Sequence, residues 1–352
     1  MTDPIKTRPE AEISVIVPCR NEKSYIESAL ISIINQGGVD GTFEILVADG
    51  MSDDGTRTVL ENIADRDSRI RVIDNPGKIV STGLNAAIKA AKGEIIIRMD
   101  CHTEYAKDYI AQCMDALTQT GADNVGGPAL TLAKSYMGVA NTLAYHSPFS
   151  VGGAKFHDPD YEGYVDTVTY GCWKKTTLLK IDLFDEELVR NQDDELNLRI
   201  RRAGGKIWQT PKIRSWYYPR SSLKALFKQY MQYGYWKVRV IQKHKLPASF
   251  RHLIPGGFVV TLLILAVLSL FIQPAAWAFA VLLACYAIAS FGASLITCRQ
   301  PIHWQYLPVM PLVFGCYHFG YGIGFLRGVF DFVILRRRGT RSFSTLTRAG
   351  KP

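Results

Sequence analysis

The stretch Glu94-Ile95-Ile96-Ile97-Arg98-Met99-Asp100-Cys101-His102 decides how this chain folds. Its β-branched run reads as a short buried strand, and it delivers a carboxylate and an imidazole with one residue between them. Residues two apart project to the same side of an extended backbone, so Asp100 and His102 could share a cation. Carboxylate oxygen and imidazole nitrogen suit Mn²⁺, Mg²⁺ or a later transition metal, and two protein ligands leave positions open for diphosphate oxygens and water. A strand-end Asp capping the next helix, beside an incidental loop His, would look the same. The flanking segments decide between these readings.

Upstream, Ile13 to Val17 is another apolar run, ending in Pro18-Cys19-Arg20-Asn21-Glu22 and followed by a helical face of Ile26, Leu30, Ile33 and Ile34. Phe43 to Ala48 is closed by Asp49-Gly50-Met51-Ser52-Asp53-Asp54-Gly55, and the next helix carries Val59, Leu60 and Ile63. Ile70 to Ile73 and Ser81 to Ala91 supply a third strand and helix before the strand at 94–99. This alternation predicts an α/β domain, a mainly parallel sheet with helices on both faces. Ligands in such sheets gather beyond the C-terminal strand ends, where the unusual polar residues all fall.

Downstream the signals weaken. Gly126-Gly127-Pro128 and the Gly/Tyr-rich stretch from Gly152 to Gly171 suggest strands of an acceptor-facing half, while Ser135 to Ser150 has no clear assignment. Asn191-Gln192-Asp193-Asp194-Glu195 opens a helix with an expected inner face of Leu196, Leu198, Ile200 and Ala203, stopped by Gly204-Gly205. Acids at a helix start offset its dipole, but three in a row exceed what one cap requires.

The chain of 352 residues has room for a catalytic domain and more, and its last third is a different material. Ile254 to Ile272 and Ala275 to Thr297 carry no charged side chain, and each is close to the ~20 residues that cross a bilayer. Ser221 to His244 has an apolar side with lysines at its margins and Tyr233, Tyr235 and Trp236, as expected of an amphipathic helix in a lipid interface. The first twelve residues are polar and do not read as a signal peptide. Seven scattered cysteines without CxxC argue against a disulfide framework and a zinc ribbon. Of the nine excess positive charges, many flank the apolar runs, at Lys237, Arg239, Lys243, Lys245, Arg251 and Arg336 to Arg338; they read as membrane-flanking charge and not as a nucleic-acid surface.

Taken in order, these segments resemble the family 2 glycosyltransferases, inverting enzymes of the GT-A fold, over roughly Ile13 to Trp208. Ile16 to Glu22 matches the family's opening strand and Pro-x-x-Asn-Glu loop. Leu46 to Asp53 matches Val-Asp-Asp-Gly-Ser-x-Asp, with Ala48 at the first Asp. Gly83-Leu84-Asn85 falls where the family often has Ala-Arg-Asn. Asp100-Cys101-His102 falls on its Asp-x-Asp, and Gln192-Asp193-Asp194-Glu195-Leu196 on the Glu-Asp-x-x-Leu segment that carries the base.

The resemblance implies nucleotide-sugar contacts from Pro18, Arg20, Glu22, Asp49, Asn85 and Asp100, with Asp49 bonding the uracil ring. It implies a divalent metal, Mn²⁺ or Mg²⁺, on Asp100 and His102, and Asp193 as catalytic base with Asp194 as the neighbouring alternative. Gly171, Cys172, Trp173, Gln232, Tyr235 and Trp236 are expected in the acceptor region. Asp-x-His and the apolar runs narrow the likeness to membrane-bound enzymes that build exopolysaccharide on a lipid carrier, such as succinoglycan-biosynthesis glucosyltransferases.

The expected partners are thus a nucleotide-sugar donor such as UDP-glucose, a polyprenyl-diphosphate-linked saccharide acceptor and membrane lipids, with no nucleic acid. The expected organisation is a polar tail (1–12), a GT-A domain (13–220), an interfacial helix (221–251), a membrane domain (252–335) and a basic tail (336–352). Two spans (254–272 and 275–297) would be joined by an uncharged Gln273-Pro274 turn, with a third apolar segment (306–326) re-entrant. The catalytic domain and C-terminus would lie on the cytosolic side of the inner membrane.

Three alternatives remain. A processive synthase would carry Gln-x-x-Arg-Trp where this chain has Gln232-Tyr233-Gly234-Tyr235-Trp236. A nucleotidyltransferase would need a Gly-rich triphosphate loop near Pro18, and an inactive scaffold would lack acids at 49, 100 and 193.

Overall fold

A computed structural model describes residues 12–39, 42–247, 249–337 and 343. The polar tail before Glu12, and the basic tail from Arg338 onward apart from Phe343, lie outside the described residues. The chain forms two compact bodies. One holds the chain up to Leu130 together with Asp158–Tyr217; the other holds Thr131–His157 and the chain from Tyr218 onward.

In the first body the strand and helix alternation runs β1 (Ile13–Cys19), α1 (Ile26–Ile34), β2 (Phe43–Asp49), α2 (Thr56–Ala64), β3 (Ile70–Asp74), α3 (Val80–Ala90), β4 (Ile95–Arg98), β5 (Thr103–Tyr105), α4 (Tyr109–Thr120), β6 (Asn124–Gly127) and the short β7 (Leu130–Thr131). The second body then takes α5 (Tyr136–Tyr145) and α6 (Pro148–Val151). The chain returns as β8 (Gly163–Tyr164), β9 (Thr169–Lys174), α7 (Lys175–Lys180), α8 (Gln192–Arg202), β10 (Ile207–Gln209) and β11 (Ser215–Tyr217). The second body is completed by α9 (Leu223–His244), α10 (Ile254–Leu268), α11 (Gln273–Thr297) and α12 (Met310–Gly328), with a π-helical turn at Val329–Ile334.

Eight strands form one sheet in the order β3-β2-β1-β4-β9-β6-β10-β8. Its β3-β2-β1-β4 half is parallel, and register places Asp49 beside both Cys19 and Asp74. The Ile/Val runs are buried on both faces, as a parallel sheet requires. Val15, Val17, Ile45 and Val47 pack with Ile26 and Leu30 of α1. Ile16, Leu46 and Ile96 pack on the other face with Leu84 and Ile88 of α3 and Leu196 and Ile200 of α8. Ala203, expected on that inner face, is exposed just past the end of α8. A Cβ on Gly93 would lie 2.7 Å from the backbone of Ile13 and Ser14, so this crossing between α3 and β4 admits only glycine.

The other half of the sheet is mixed. β6 and β10 are parallel, whereas β9 runs antiparallel between β4 and β6, because the chain reaches it from the long excursion through the second body and not through a helical crossover.

The unassigned stretch from Ser135 is helical. Ser135 caps α5 by accepting a hydrogen bond from the Gly138 N–H. The buried side of α5 consists of small or polar residues, Gly138, Ala140, Asn141 and Ala144, so no apolar stripe announces it. α9 is capped by Ser222 and ends at Lys245 in the left-handed region.

α9 and α12 meet backbone to backbone. A Cβ on Gly324 would lie 2.0 Å from the Met231 carbonyl oxygen, and one on Gly234 would lie 2.0 Å from that of Tyr321. Gly320 faces Phe227 and Gly328 faces Tyr235 in the same way. The pairs 227–320, 231–324 and 235–328 advance together, so the two helices run parallel with a glycine seam between them. The apolar stripe of α9 is covered by α12, and Tyr235 and Trp236 are buried.

Phe250–Leu268 and Gln273–Thr297 are long and apolar enough to cross a membrane, yet they are mostly unburied, with Ile254 67% and Ile288 72% exposed. Gln273 and Pro274 do not form the turn between them. They start α11, where a first-turn proline loses no helical hydrogen bond.

Candidate active site

The loops after β1 and β2 are stitched together at the C-terminal sheet edge. Asn21 donates through Nδ2 to Asp53 at 2.9 Å and accepts from the Asp53 N–H at 3.0 Å, while the Asn21 and Glu22 N–H groups donate to Ser52 and Thr56. The Cys101 thiol lies 3.3 Å from the Pro18 carbonyl, tying in the loop after β4. Arg20 reaches the Lys78 carbonyl at 3.3 Å. Asp49 is buried, accepts from the Ser52 hydroxyl at 2.6 Å, and lies 3.5 Å from Arg57, which also holds Asp74 at 2.6 Å.

The centre of the site is a residue that the sequence reading passed over. Arg98, the last residue of β4, donates from Nε and Nη2 to the two oxygens of Asp100 at 2.8 and 3.0 Å, and from Nη1 to Asp193. Its guanidinium is buried beside the Tyr170 ring, 5.7 Å from the centroid. Tyr170 in turn hydrogen-bonds Thr103. The backbone N–H of Asp100 donates to Tyr105. A charged residue in the last position of an otherwise apolar strand was the available signal.

Asp193 stands in the first turn of α8, preceded by Asn191 in the left-handed region. Burial raises its pKa above the usual carboxylate value; Arg98 opposes this, and the charge of Asp100 adds to it. Asp194 follows in the same turn. Arg199 fixes the helix by donating to Glu195 at 2.8 Å and to the Leu183 carbonyl at 2.6 Å. Asn85, expected among the nucleotide contacts, is held within the protein by three hydrogen bonds. Its Nδ2 donates to the Phe184 carbonyl and to Glu186, and its Oδ1 accepts from the Phe184 N–H, so the amide ties α3 to the segment leading to α8.

His102 is a quarter exposed, with Nδ1 3.6 Å from Glu22. Asp100 and His102 offer a mixed oxygen and nitrogen donor pair that fits a divalent cation needing further oxygens from its ligand. The described residues contain no cluster of three or more metal-ligating side chains. Arg98 already donates to both oxygens of Asp100, so a cation bound to Asp100 would share it with that guanidinium.

The expected acceptor residues divide between the bodies. Cys172 and Trp173 are core side chains of β9, pointing to opposite sheet faces as successive strand residues must. Gly171 precedes them at φ +122°, where a Cβ would lie 2.3 Å from the Trp173 ring. Gln232, Tyr235 and Trp236 belong to α9 in the second body and are buried there; Gln232 donates to the Phe343 carbonyl.

A profile of the family described as glycosyl transferase family 2 matches residues 14–139. The succinoglycan biosynthesis protein ExoA of Rhizobium meliloti (strain 1021) is 32% identical over 243 residues, which are 68% of this chain and 73% of that protein. The dolichyl N-acetyl-alpha-D-glucosaminyl phosphate 3-beta-D-2,3-diacetamido-2,3-dideoxy-beta-D-glucuronosyltransferase of Methanococcus voltae is 28% identical over 90% of this chain and 98% of its own. Among solved structures, the mannosyltransferase PcManGT from Pyrobaculum calidifontis, in complex with GDP-Man and Mn²⁺, shares the fold at a TM-score of 0.57 and 18% identity, over 94% of this chain and 91% of that one.

Proposed function

Because this chain belongs to glycosyl transferase family 2, we propose that it transfers a sugar from a nucleotide donor, UDP-glucose or a close relative, to a polyprenyl-diphosphate-linked glycan with inversion. The setting is the cytoplasmic face of a bacterial inner membrane, in exopolysaccharide biosynthesis, with α10 and α11 as spans. The observation that carries the chemistry is Arg98, which links Asp100 of the metal motif to Asp193 of the helix-start acids.

Asp49, braced by Ser52 and Arg57, is suited to bond the uracil ring at the end of β2. A divalent cation on Asp100 and His102 would supply Lewis-acid stabilisation of the departing diphosphate. Asp193 takes the proton of the acceptor hydroxyl as its oxygen bonds the anomeric carbon; the carbon–oxygen bond to diphosphate breaks and its electron pair leaves with UDP. One displacement from an α-linked donor gives a β-linked product. Arg98 keeps Asp193 ionised and aimed while it waits.

The test is to incubate purified protein in detergent with a panel of sugar nucleotides and a polyprenyl-diphosphate-linked saccharide. Free UDP and a β-linked, lengthened glycan are expected. Pyrophosphate release, or no transfer from any donor in the panel, defeats the reading.

A further inference from the structure

The π-helical turn after α12 holds a carboxylate with no exposure at all. Asp331 accepts from the Tyr235 hydroxyl at 3.1 Å and from Arg327 Nε at 3.1 Å, and lies 3.5 Å from Arg337 Nη1. Both arginines remain about half exposed, at 47% and 52%. A buried ion pair seldom stabilises a fold more than apolar packing would, and one arginine would suffice to neutralise one carboxylate. What Asp331 achieves is convergence: two guanidinium groups share an anchor, and the cluster keeps a net positive charge.

An apolar groove adjoins these groups, lined by Met231 of α9, Ile323 and Arg327 of α12, and Phe343. Its depth can be read from the neighbouring helix. Gly322 meets the Pro255 carbonyl, and Gly256 meets the Phe325 ring, so Arg327 is level with the start of α10. That is where the apolar span begins and where headgroup phosphates lie. Guanidinium groups pair well with phosphate oxygens, and a groove whose walls are apolar apart from Arg327 at its margin accepts a hydrocarbon chain.

We propose that Arg327 and Arg337, fixed by Asp331, grip the diphosphate of an isoprenoid lipid whose chain enters the groove beside Met231 and Ile323. The inference rests on the lipid-carrier reading above and assigns that carrier a place.

Full-length protein in detergent is titrated with geranylgeranyl diphosphate by calorimetry, with UDP binding measured separately. Arg327→Gln and Arg337→Gln are each expected to weaken lipid binding by about tenfold and leave UDP binding unchanged. Asp331→Asn adds positive charge yet should also weaken it, because the arginines lose their common anchor. The proposal is overturned if the double arginine variant binds as wild type does, if inorganic pyrophosphate binds as tightly as the lipid, or if phosphatidylglycerol vesicles compete equally. Sugar transfer by a wild type whose lipid binding ignores both arginines removes this site and spares the proposed function. Arginine-dependent lipid binding without transfer from any donor does the reverse.

Discussion

Arg98 and Asp193 are joined by a hydrogen-bonded ion pair across 95 positions of sequence, from the end of β4 to the first turn of α8. Since Arg98 also holds both oxygens of Asp100, the acids proposed as metal ligand and base share one buried cation. The pairing holds Asp193 at the strand ends, which supports the role of base proposed for it.

Asp193→Asn is therefore expected to leave nucleotide binding intact and to lower transfer by about 10²- to 10⁴-fold, the usual worth of a positioned base. Asp194→Asn should retain most activity. Steady-state rates of both purified variants check this, and an inactive Asp194→Asn beside a normal Asp193→Asn would shift the base by one residue.

Arg98→Met should damage the fold as well as the chemistry. It strands the buried Asp100, and breaking a buried ion pair from one side costs about 3–5 kcal/mol; Asp193, a third exposed, adds less. Denaturant unfolding is expected to show this loss for Arg98→Met, with a smaller one for Arg98→Lys, which keeps the charge. Equal stability in all three proteins would remove Arg98 from the centre of the site.

Activity should fall away on exhaustive chelation and return with Mn²⁺ at least as well as with Mg²⁺, since an imidazole ligand favours the softer ion. His102→Asp is expected to retain function and move the preference towards Mg²⁺. Full turnover after chelation, or a metal preference that ignores the substitution, counts against Asp100 and His102 as the ligand pair.

Much of this was legible in the sequence because parallel strands buried on both faces write themselves as unbroken Ile/Val runs, and the loops that follow each run mark the ligand edge. Pro18, Asp49 and Asp100 stand at ends of elements that the alternation located, and Asp193 opens the helix marked by its run of acids. Arg98 was passed over because burial of a guanidinium depends on two acids, one of them supplied from a distant helix. The bonds of Asn85 to Phe184 and Glu186 could not be read in advance, because those partners lie about a hundred residues away and have no pattern of their own. The helix at Tyr136–Tyr145 was missed because it buries small residues and needs no apolar stripe.

His157 should make stability depend on pH. It is buried beside His146 and Arg251, and burial first, then those two neighbours, pull its pKa from 6.5 down to about 3. A group depressed in the folded state binds its proton more readily when unfolded. Its contribution is whole above 6.5 and is lost as pH falls below that value, by at most about 1.4 kcal/mol per unit. Thermal unfolding in detergent across this range should show a steeper acid loss for wild type than for His157→Asn. Parallel curves would mean that His157 is protonated without cost.

The last expectation concerns the C-terminus. α9 carries Lys224, Lys228, Lys237, Arg239 and Lys243 and is ill suited to cross a hydrocarbon core. α12 lies parallel to it along the glycine seam from Gly320 to Gly328, so the two helices share one depth over that length. A span would have to leave α9 behind and break contacts in which Gly324 and Gly234 each touch a partner carbonyl. With α10 and α11 as the proposed spans, two crossings would return the chain to the side from which it entered. A reporter fused after Pro352 should consequently work only in the cytosol, on the same side as one placed before Ile13. Activity of a periplasm-only reporter at Pro352 would show an odd number of crossings and require α12 to separate from α9 in the membrane.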